Sequence, residues 1–221
     1  MTQVKKESVR SLRKKVLVTS LRMVKAGLVV AKEGNVSARI PGEDRIAITP
    51  SRLPYELMTV DDILVVGFDG NVILGKRKPS TETPMHIAVF KARSDAGGVL
   101  HTHSPYASAL SCLKESRIPP IMDEQTVYLG GDVGMTQYAV AGSKEIAANA
   151  AAALLDRDGT LLSNHGTICC GKTLDEALRN AILIEKLAQV YLLARNIGEV
   201  TSVPKDIIES QKRKYLATRQ N

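Results

Sequence analysis

The chemistry that this sequence can support begins with four histidines, His86, His101, His103 and His165. His101 and His103 flank one threonine in the run GGVLHTH, which has the composition of a buried strand. Because side chains at positions i and i+2 of a strand point to the same face, these two imidazoles can bind one metal ion together. Two ordinary histidines on a sheet face are an equally good interpretation of the pair alone.

A catalytic zinc ion usually takes three protein ligands and leaves one position open, so the pair needs a third histidine. His165, in the run SNHGT at the start of a predicted strand, is the better candidate, because Gly166 beside it allows a close backbone approach. His86 lies instead in a predicted helix with apolar neighbours. We therefore predict that His165 completes the metal site and that His86 has a structural role.

A carboxylate is available in the run KPSTETPMH, where Glu82 precedes the start of a predicted helix at Pro84. A carboxylate beside a metal ion can serve as a ligand or as an acid/base catalyst. The alternative interpretation of Glu82 is an acid that interacts favourably with the start of the helix dipole. Ser80 and Thr81 before it can likewise be simple helix caps.

Two further polar loops have the composition of an anion site. Gly34 and Asn35 enter one predicted strand, and Ser51 and Arg52 follow the next strand along the chain. Small polar side chains and free backbone amides in such loops can bind a phosphate group. Gly-Asn is also a common turn and Thr-Pro-Ser a common strand end, so either loop alone is weak evidence.

The elements that must position these residues mix helices with hairpin-linked strands. Apolar periodicity and start signals predict helices at 7–27, 84–93, 105–113, 143–156, 174–199 and 205–218. Runs rich in β-branched residues predict strands at 36–40, 45–49, 62–68, 71–77, 97–103 and 160–171, with a hairpin turn at FDGN. Since strict strand–helix alternation is lacking, we predict a single domain over 1–221, a three-layer α/β/α fold with a mostly antiparallel central sheet.

Composition narrows the function classes. The 221 residues are 44% hydrophobic, enough to bury a full core. Aromatic residues make up only 4%, so the net charge of +7 lacks the aromatic interleaving of a nucleic-acid surface. The amino terminus is charged, eighteen consecutive apolar residues occur nowhere, and adjacent Cys169 and Cys170 with Cys112 are typical of reduced thiols. We expect a cytoplasmic protein that binds neither nucleic acid nor a membrane.

Five motifs in order, GNVSAR, ITPSRLPYE, KPSTETPMH, VLHTHSP and SNHG, resemble the class II aldolase and adducin amino-terminal superfamily. The resemblance covers about residues 8 to 200 and is strongest to the aldolases that act on fuculose 1-phosphate. It implies an α/β/α fold and a homotetramer with active sites between subunits. The intact histidine set is unlike adducin-like cytoskeletal proteins, which lack these histidines.

Carried over by motif, the resemblance implies that His101, His103 and His165 bind one zinc ion. Glu82 would be both a metal ligand in the resting enzyme and the catalytic acid/base. The phosphate site would be formed by Gly34, Asn35, Ser51, Arg52, Ser80 and Thr81. Arg52 stands where the family pattern has glycine, and Lys32 replaces a small residue, so both can add charge to the phosphate site or face solvent.

The resemblance also implies an aldehyde-lyase reaction. A ketose 1-phosphate, such as fuculose 1-phosphate or a deoxypentulose 1-phosphate, would be cleaved to dihydroxyacetone phosphate and an aldehyde through a metal-stabilised enediolate. The family's aldolases use a tyrosine to protonate the aldehyde oxygen, and the matching stretch here offers Tyr128. Tyr215 is a second candidate that would cover a neighbouring subunit's site.

Other reactions on the same metal site stay open as alternatives. Asp123 and Glu124 invite comparison with related dehydratases and epimerases, which share the histidines but add their own acids. The alternatives are therefore a dehydratase, a 4-epimerase or a decarboxylase acting on a phosphorylated sugar. A non-catalytic adducin-like interaction domain would bind no metal and would not depend on Glu82.

Overall fold

The fold is built from seven strands and seven α-helices within the residues that the structure describes, 3–114 and 117–219. In this computed structural model the strands are β1 Asn35–Arg39, β2 Arg45–Ile48, β3 Leu64–Gly67, β4 Val72–Leu74, β5 Gly98–Thr102, β6 Gly159–Leu162 and β7 Gly166–Gly171. The helices are α1 Gln3–Lys25, α2 Thr83–Ala92, α3 Pro105–Ser111, α4 Asp123–Leu129, α5 Lys144–Ala153, α6 Leu174–Ile197 and α7 Lys205–Arg219. Short 3₁₀ turns occupy Tyr55–Leu57 and Val60–Asp62.

All seven strands belong to one sheet with the order β4-β3-β2-β1-β5-β7-β6. Each of the six strand pairings in that order is antiparallel. The four strands on one side follow one another in the chain, whereas β5 follows α2 into the middle of the sheet between β1 and β7. The predicted antiparallel sheet is therefore confirmed, and β1, β5 and β7 form its centre.

Helices cover both faces of this sheet. Successive side chains of a strand point to opposite faces, and Cys169 and Cys170 of β7 accordingly enter two different apolar clusters. The cluster around Cys169 includes side chains of α1, α3, α4 and α6, and the cluster around Cys170 includes those of α2 and α5. This arrangement confirms the predicted three-layer α/β/α fold.

Several predicted boundaries were wrong, and the clearest case is the single strand expected over 160–171. The structure has two strands there, β6 and β7, which pair with each other on either side of a turn at 163–165. Asn164 adopts the left-handed region in this turn, with φ of 54°, and reverses the chain. Asparagine tolerates that conformation better than most residues, so the signal was present in the sequence.

Two other elements also differ from the prediction. The strand expected over 71–77 is only the three residues of β4, because Gly75, with φ of 113°, ends it. The segment Asp123–Leu129, for which no helix was predicted, forms α4 and ends at Gly130 in a left-handed cap. Within the described ranges, no helix combines the length and the hydrophobicity needed to cross a membrane.

Candidate metal centre and active site

The centre of the sheet positions the three histidines that the sequence suggested. His101 lies in β5 and His103 directly follows that strand, while His165 lies in the turn that leads into β7. β5 and β7 pair so that Thr102 is opposite Thr167, which brings the turn beside the end of β5. A side chain at Gly166 would place its Cβ 2.3 Å from the carbonyl oxygen of Thr102. Glycine is therefore required for this close approach.

Glu82 meets the histidines from the other side of β5, at the start of α2. It is the residue immediately before that helix, which has proline in its first turn. Its Oε2 lies 3.0 Å from Nε2 of His101, and its Oε1 lies 3.2 Å from Nε2 of His165. Nε2 of His103 is 2.8 Å from Nε2 of His101. Glu82, His101, His103 and His165 thus offer four ligand atoms that all lie within 4.8 Å of one another.

The hydrogen-bonding chemistry of this group fits a bound cation. Nδ1 of His101 lies 2.8 Å from the carbonyl oxygen of Thr167, which can only accept, so Nδ1 carries a proton. In a neutral ring Nε2 of His101 then carries a lone pair, and it faces the carboxylate of Glu82 and the imidazole of His103. Oε1 of Glu82 is buried and has no hydrogen-bond partner. These converging acceptors need a cation between them, and three imidazoles with one carboxylate suit zinc.

The group's electrostatics keep the ligands in their metal-binding forms. Burial would raise the pKa of Glu82, but the adjoining His101 and hydrogen bonds from His101 and Asn35 hold it well below its usual range. Burial lowers the pKa of His103 to about 4, with the neighbouring imidazoles contributing. The pKa of His165 is lowered for the same two reasons. At neutral pH the site therefore presents an ionised carboxylate and neutral rings at His103 and His165.

His101 behaves differently from the other two ligands in the absence of metal. Burial lowers its pKa, but the carboxylate of Glu82 more than offsets this and the net shift is upward. A proton on Nε2 of His101 can thus neutralise Glu82 when no metal is bound. Because a metal ligand must be deprotonated, metal binding displaces that proton.

His86 lies outside the metal group and is fully buried. Its Nδ1 lies 2.6 Å from the hydroxyl of Ser37, and its Nε2 contacts Oδ1 of Asn35. Burial lowers the pKa of His86 to about 3, so the ring is neutral. Its position agrees with the prediction that His86 is not a ligand, and it places the residue in a hydrogen-bond network behind Glu82.

The first polar loop lies directly against the metal group. Asn35 donates from Nδ2 to Oε2 of Glu82 and to Oγ of Ser80, each at 3.0 Å. Gly34 has φ of 69°, and a Cβ there would lie 2.6 Å from the carbonyl oxygen of His101. The loop can therefore approach β5 this closely only with glycine at position 34.

The second polar loop forms a separate basic cavity. Ser51, Arg52 and Thr81 line a space of about 540 Å³ together with Pro79 and the basic run 76–78. The sequence analysis had assigned Lys76 and Arg77 to a strand and left Lys78 without a role, although the charged run stands directly before the PSTE motif. Because Thr81 lines the cavity and is adjacent to Glu82, this concentration of positive charge lies next to the metal group.

The comparison with known proteins decides the family. Residues 14–192 match the family described as Class II Aldolase and Adducin N-terminal domain. This chain belongs to that family.

Three similar proteins show the range of the family. The chain is 32% identical over 203 residues to a 5-deoxy-D-ribulose 1-phosphate aldolase of Bacillus thuringiensis serovar kurstaki, covering 92% of this chain and 94% of that protein. It is 30% identical over 202 residues to an L-ribulose-5-phosphate 4-epimerase of Salmonella paratyphi B, covering 86% and 87%. A solved structure of an L-fuculose 1-phosphate aldolase has a TM-score of 0.88 at 32% identity, covering 93% of this chain and 96% of that one.

Tyr128, the expected general acid, is not beside the metal group of its own chain in this class II aldolase fold. Its ring lies under the guanidinium of Arg179, 4.2 Å from ring centroid to Cζ. The next residue, Asn180, donates to the carbonyl oxygen of Cys170, near the end of β7 opposite to His165. Tyr128 therefore lies away from the metal group of its own chain, and its catalytic role stays a prediction.

The other candidates, Asp123, Glu124 and Tyr215, also make their contacts away from the metal group. Glu124 accepts from Lys186 at 2.7 Å, and Asp123 accepts from Gln211 at 2.9 Å. These pairs connect α4 with α6 and α7. Tyr215, on α7, is 5% exposed and is buried within its own chain. The two acids therefore contribute to helix contacts in this class II aldolase fold and do not reach the metal group.

Proposed function

We propose that this chain is a zinc-dependent aldolase that cleaves a ketose 1-phosphate into dihydroxyacetone phosphate and an aldehyde. The observation that carries the proposal is the convergence of one carboxylate and three imidazoles within 4.8 Å, next to a basic cavity. The names of the similar aldolases suggest fuculose 1-phosphate and 5-deoxyribulose 1-phosphate as substrates.

In this proposal His101, His103 and His165 hold the metal ion, and Glu82 is the fourth ligand of the resting enzyme. A divalent ion bound there supplies Lewis-acid polarisation of the substrate carbonyl. The residues around the ligands hold them in place: the carbonyl of Thr167 orients His101, and Asn35 orients Glu82. Such second partners fix ligand orientation in metal sites.

Glu82 also carries the proton. In cleavage the C3–C4 bond of the ketose breaks, its electron pair stays on C3 of the dihydroxyacetone phosphate fragment, and the C4 hydroxyl loses its proton as the aldehyde forms. The ionised carboxylate of Glu82 takes up one proton, which balances the proton lost by the C4 hydroxyl, and delivers it to C3, so the carboxylate is regenerated. In the synthetic direction the carboxylate removes that proton from C3. Oε1 is the suitable atom because it has no hydrogen-bond partner, whereas Oε2 is bonded to Asn35. The side chain is 9% exposed, which limits competition from water.

The substrate's phosphate binds in the basic cavity between Arg52 and Thr81. Arg52, Lys76 and Lys78 contribute positive charge there, while Arg77 forms an ion pair with Asp62. Binding the phosphate at a distance from the bond that breaks uses its binding energy to orient the sugar. The cavity therefore accounts for a preference for phosphorylated substrates.

We further propose a cytoplasmic homotetramer in which Tyr128 of one subunit reaches the site of another. The three cysteines form no disulfide, which is typical of a reducing compartment. Tyr128 is 40% exposed on α4, so its hydroxyl is accessible to a partner, and exposed Val127 beside it adds an apolar surface. In this arrangement Tyr128 exchanges the proton of the aldehyde oxygen.

A second candidate, a sugar-phosphate 4-epimerase, is supported by the similar epimerase. The two functions are separated by incubating the zinc-loaded protein with fuculose 1-phosphate, 5-deoxyribulose 1-phosphate and ribulose 5-phosphate, with and without a strong chelator. Chelator-sensitive release of dihydroxyacetone phosphate supports the aldolase. Interconversion of the pentulose 5-phosphates without any release supports the epimerase. A protein that binds no metal refutes both.

A further inference from the structure

A buried chain of hydrogen bonds runs behind the metal group from β1 to α2. The hydroxyl of Ser37 contacts Nδ1 of His86, and Nε2 of His86 contacts Oδ1 of Asn35. Nδ2 of Asn35 then reaches both Glu82 and Ser80. Ser37 and His86 are fully buried and Asn35 is 3% exposed, so solvent does not compete with these contacts.

The carboxylate of Glu82, at one end of this series of hydrogen bonds, determines which atom donates and which accepts in each of them. The ionised carboxylate of Glu82 can only accept, so the Asn35 atom that faces it must be the amide nitrogen. Oδ1 of Asn35 consequently faces His86, and as an acceptor it requires a proton on Nε2 of that ring. In the neutral imidazole Nδ1 then carries a lone pair, and it accepts a hydrogen bond from the hydroxyl of Ser37.

The same direction extends to Ser80. Oγ of Ser80 accepts from Nδ2 of Asn35 at 3.0 Å and from the backbone N–H of Glu82 at 3.2 Å. A hydroxyl oxygen has two lone pairs, and both are occupied here. The hydroxyl proton of Ser80 therefore points away from this network. Asn35, in contrast, uses both amide hydrogens inside the network and has none left for a ligand.

We propose that His86 is a positioning residue whose Nε2–H fixes the Asn35 amide, so that Asn35 holds the carboxylate of Glu82. The inference rests on the proposed aldolase function for its kinetic consequence. The hydrogen-bond pattern itself does not depend on that function, because it follows from the contacts of Ser37, His86 and Asn35. His86 itself touches neither substrate nor metal.

Loss of the His86 donor has a specific consequence. Without it, the Asn35 amide can rotate and turn Oδ1 toward the Glu82 carboxylate, where two acceptors repel each other. The carboxylate then loses its hydrogen bond and Ser80 loses the contact that orients its hydroxyl. A hydrogen bond to a charged group corresponds to about tenfold to a hundredfold in rate. Because Glu82 acts on the reacting carbon, the loss falls mainly on kcat.

The activity test compares His86→Leu with His86→Gln. Leucine fills similar space and donates nothing, whereas the glutamine amide can still donate to Asn35. We expect kcat to fall at least tenfold in His86→Leu, with a smaller rise in KM, and His86→Gln to recover most of the loss. Thr160→Val is the control for removing a buried hydrogen bond, since Thr160 is 1% exposed and bonds only to backbone carbonyls. Its kcat/KM should stay within about twofold of the wild type.

The second measurement needs neither activity nor a foldable variant. A long-range ¹H–¹⁵N spectrum of the wild-type, metal-free protein should show the His86 ring with its proton on Nε2. A proton on Nδ1 instead would overturn the inference, as would full kcat in a folded His86→Leu or equal losses in the leucine and glutamine variants. An inactive wild type with the Nε2–H ring would refute the aldolase function alone and leave the hydrogen-bond pattern standing.

Discussion

Arg52 combines backbone strain with a charge that binds the substrate phosphate in the proposed function, and replacing it separates the two. Its φ is 59°, in the left-handed region, and its side chain is exposed beside the basic cavity. A residue with a Cβ in this region is disfavoured by about 1–2 kcal/mol. Glycine removes that strain but gains about 0.4–1 kcal/mol of freedom in the unfolded chain. Arg52→Gly should therefore stabilise the fold by about 0.5 kcal/mol, or raise the melting midpoint by about 1–2 °C.

The same substitution should weaken substrate binding. One unit charge about 4 Å from another in water contributes about 1 kcal/mol, which corresponds to about fivefold in affinity. Because Arg52 lies at the phosphate end and not at the reacting carbon, the loss should raise KM about fivefold and leave kcat nearly unchanged. Added salt should shrink the difference from the wild type, since the cavity is open to solvent.

Two further variants test the strain and the charge of Arg52 one at a time. Arg52→Ala removes the charge but keeps the Cβ, so its KM should rise while its melting midpoint does not. Arg52→Lys keeps both, so both quantities should stay close to the wild type. Initial rates over a range of ketose 1-phosphate concentrations and thermal melts of all four proteins provide the comparison. If Arg52→Gly melts at a lower temperature with an unchanged KM, the side chain stabilises the loop and does not bind substrate.

Three other perturbations act on the metal group. Glu82→Gln should keep the fold and lower kcat by at least a hundredfold, because an amide cannot carry the proton; full turnover in that variant would remove Glu82 from the mechanism. His103→Ala should lose metal occupancy, measured by elemental analysis. Burial lowers the pKa of His103 to about 4, so as pH falls from about 6.5 to 4 the unfolded chain takes up a proton that the folded, metal-free protein does not. The free energy of unfolding should therefore decrease over this range, and it should decrease less in His103→Ala, which lacks the imidazole. Because the pKa of His101 is raised by the carboxylate of Glu82, zinc binding should release a proton from His101, detected by calorimetry in buffers of different ionisation enthalpy.

The sequence predicted the metal group better than the elements around it. The spacing of His101 and His103 is a local signal, because a strand places alternate residues on one face. His165 was selected because of Gly166 beside it, and the family resemblance then placed Glu82 at the same site. The approach of both residues to His101 depends on pairing between β5 and β7 and on the position of α2. The turn at Asn164 was missed although Ser163, Asn164 and Gly166 are common turn residues, because the apolar and β-branched residues on both sides favour one continuous strand. Only the pairing of β6 with β7 shows that the chain reverses there.

Other features depend on contacts that no local pattern specifies. The predicted strand over 71–77 included Lys76 and Arg77 of the basic cavity, because the sequence pattern did not show that Gly75 ends β4. The location of Tyr128 follows from the packing of α4 against α6 and α7, which a linear motif does not show. The extent of the domain over 1–221 and the role of Tyr128 in a neighbouring subunit stay predictions.

The site divides into a buried part and an exposed part, and this division predicts how substitutions affect kinetics. His86, Asn35 and Glu82 are at most 7% exposed and bond to one another, so a change in one of them alters the group that moves the proton. Arg52, Lys76 and Lys78 are exposed, and in the proposed function they act on the phosphate through charge. Substitutions in the buried part should therefore lower kcat, and substitutions at the exposed rim should raise KM in a salt-dependent way. A rim variant with a lower kcat at saturating substrate would show that the phosphate also orients the reacting carbon.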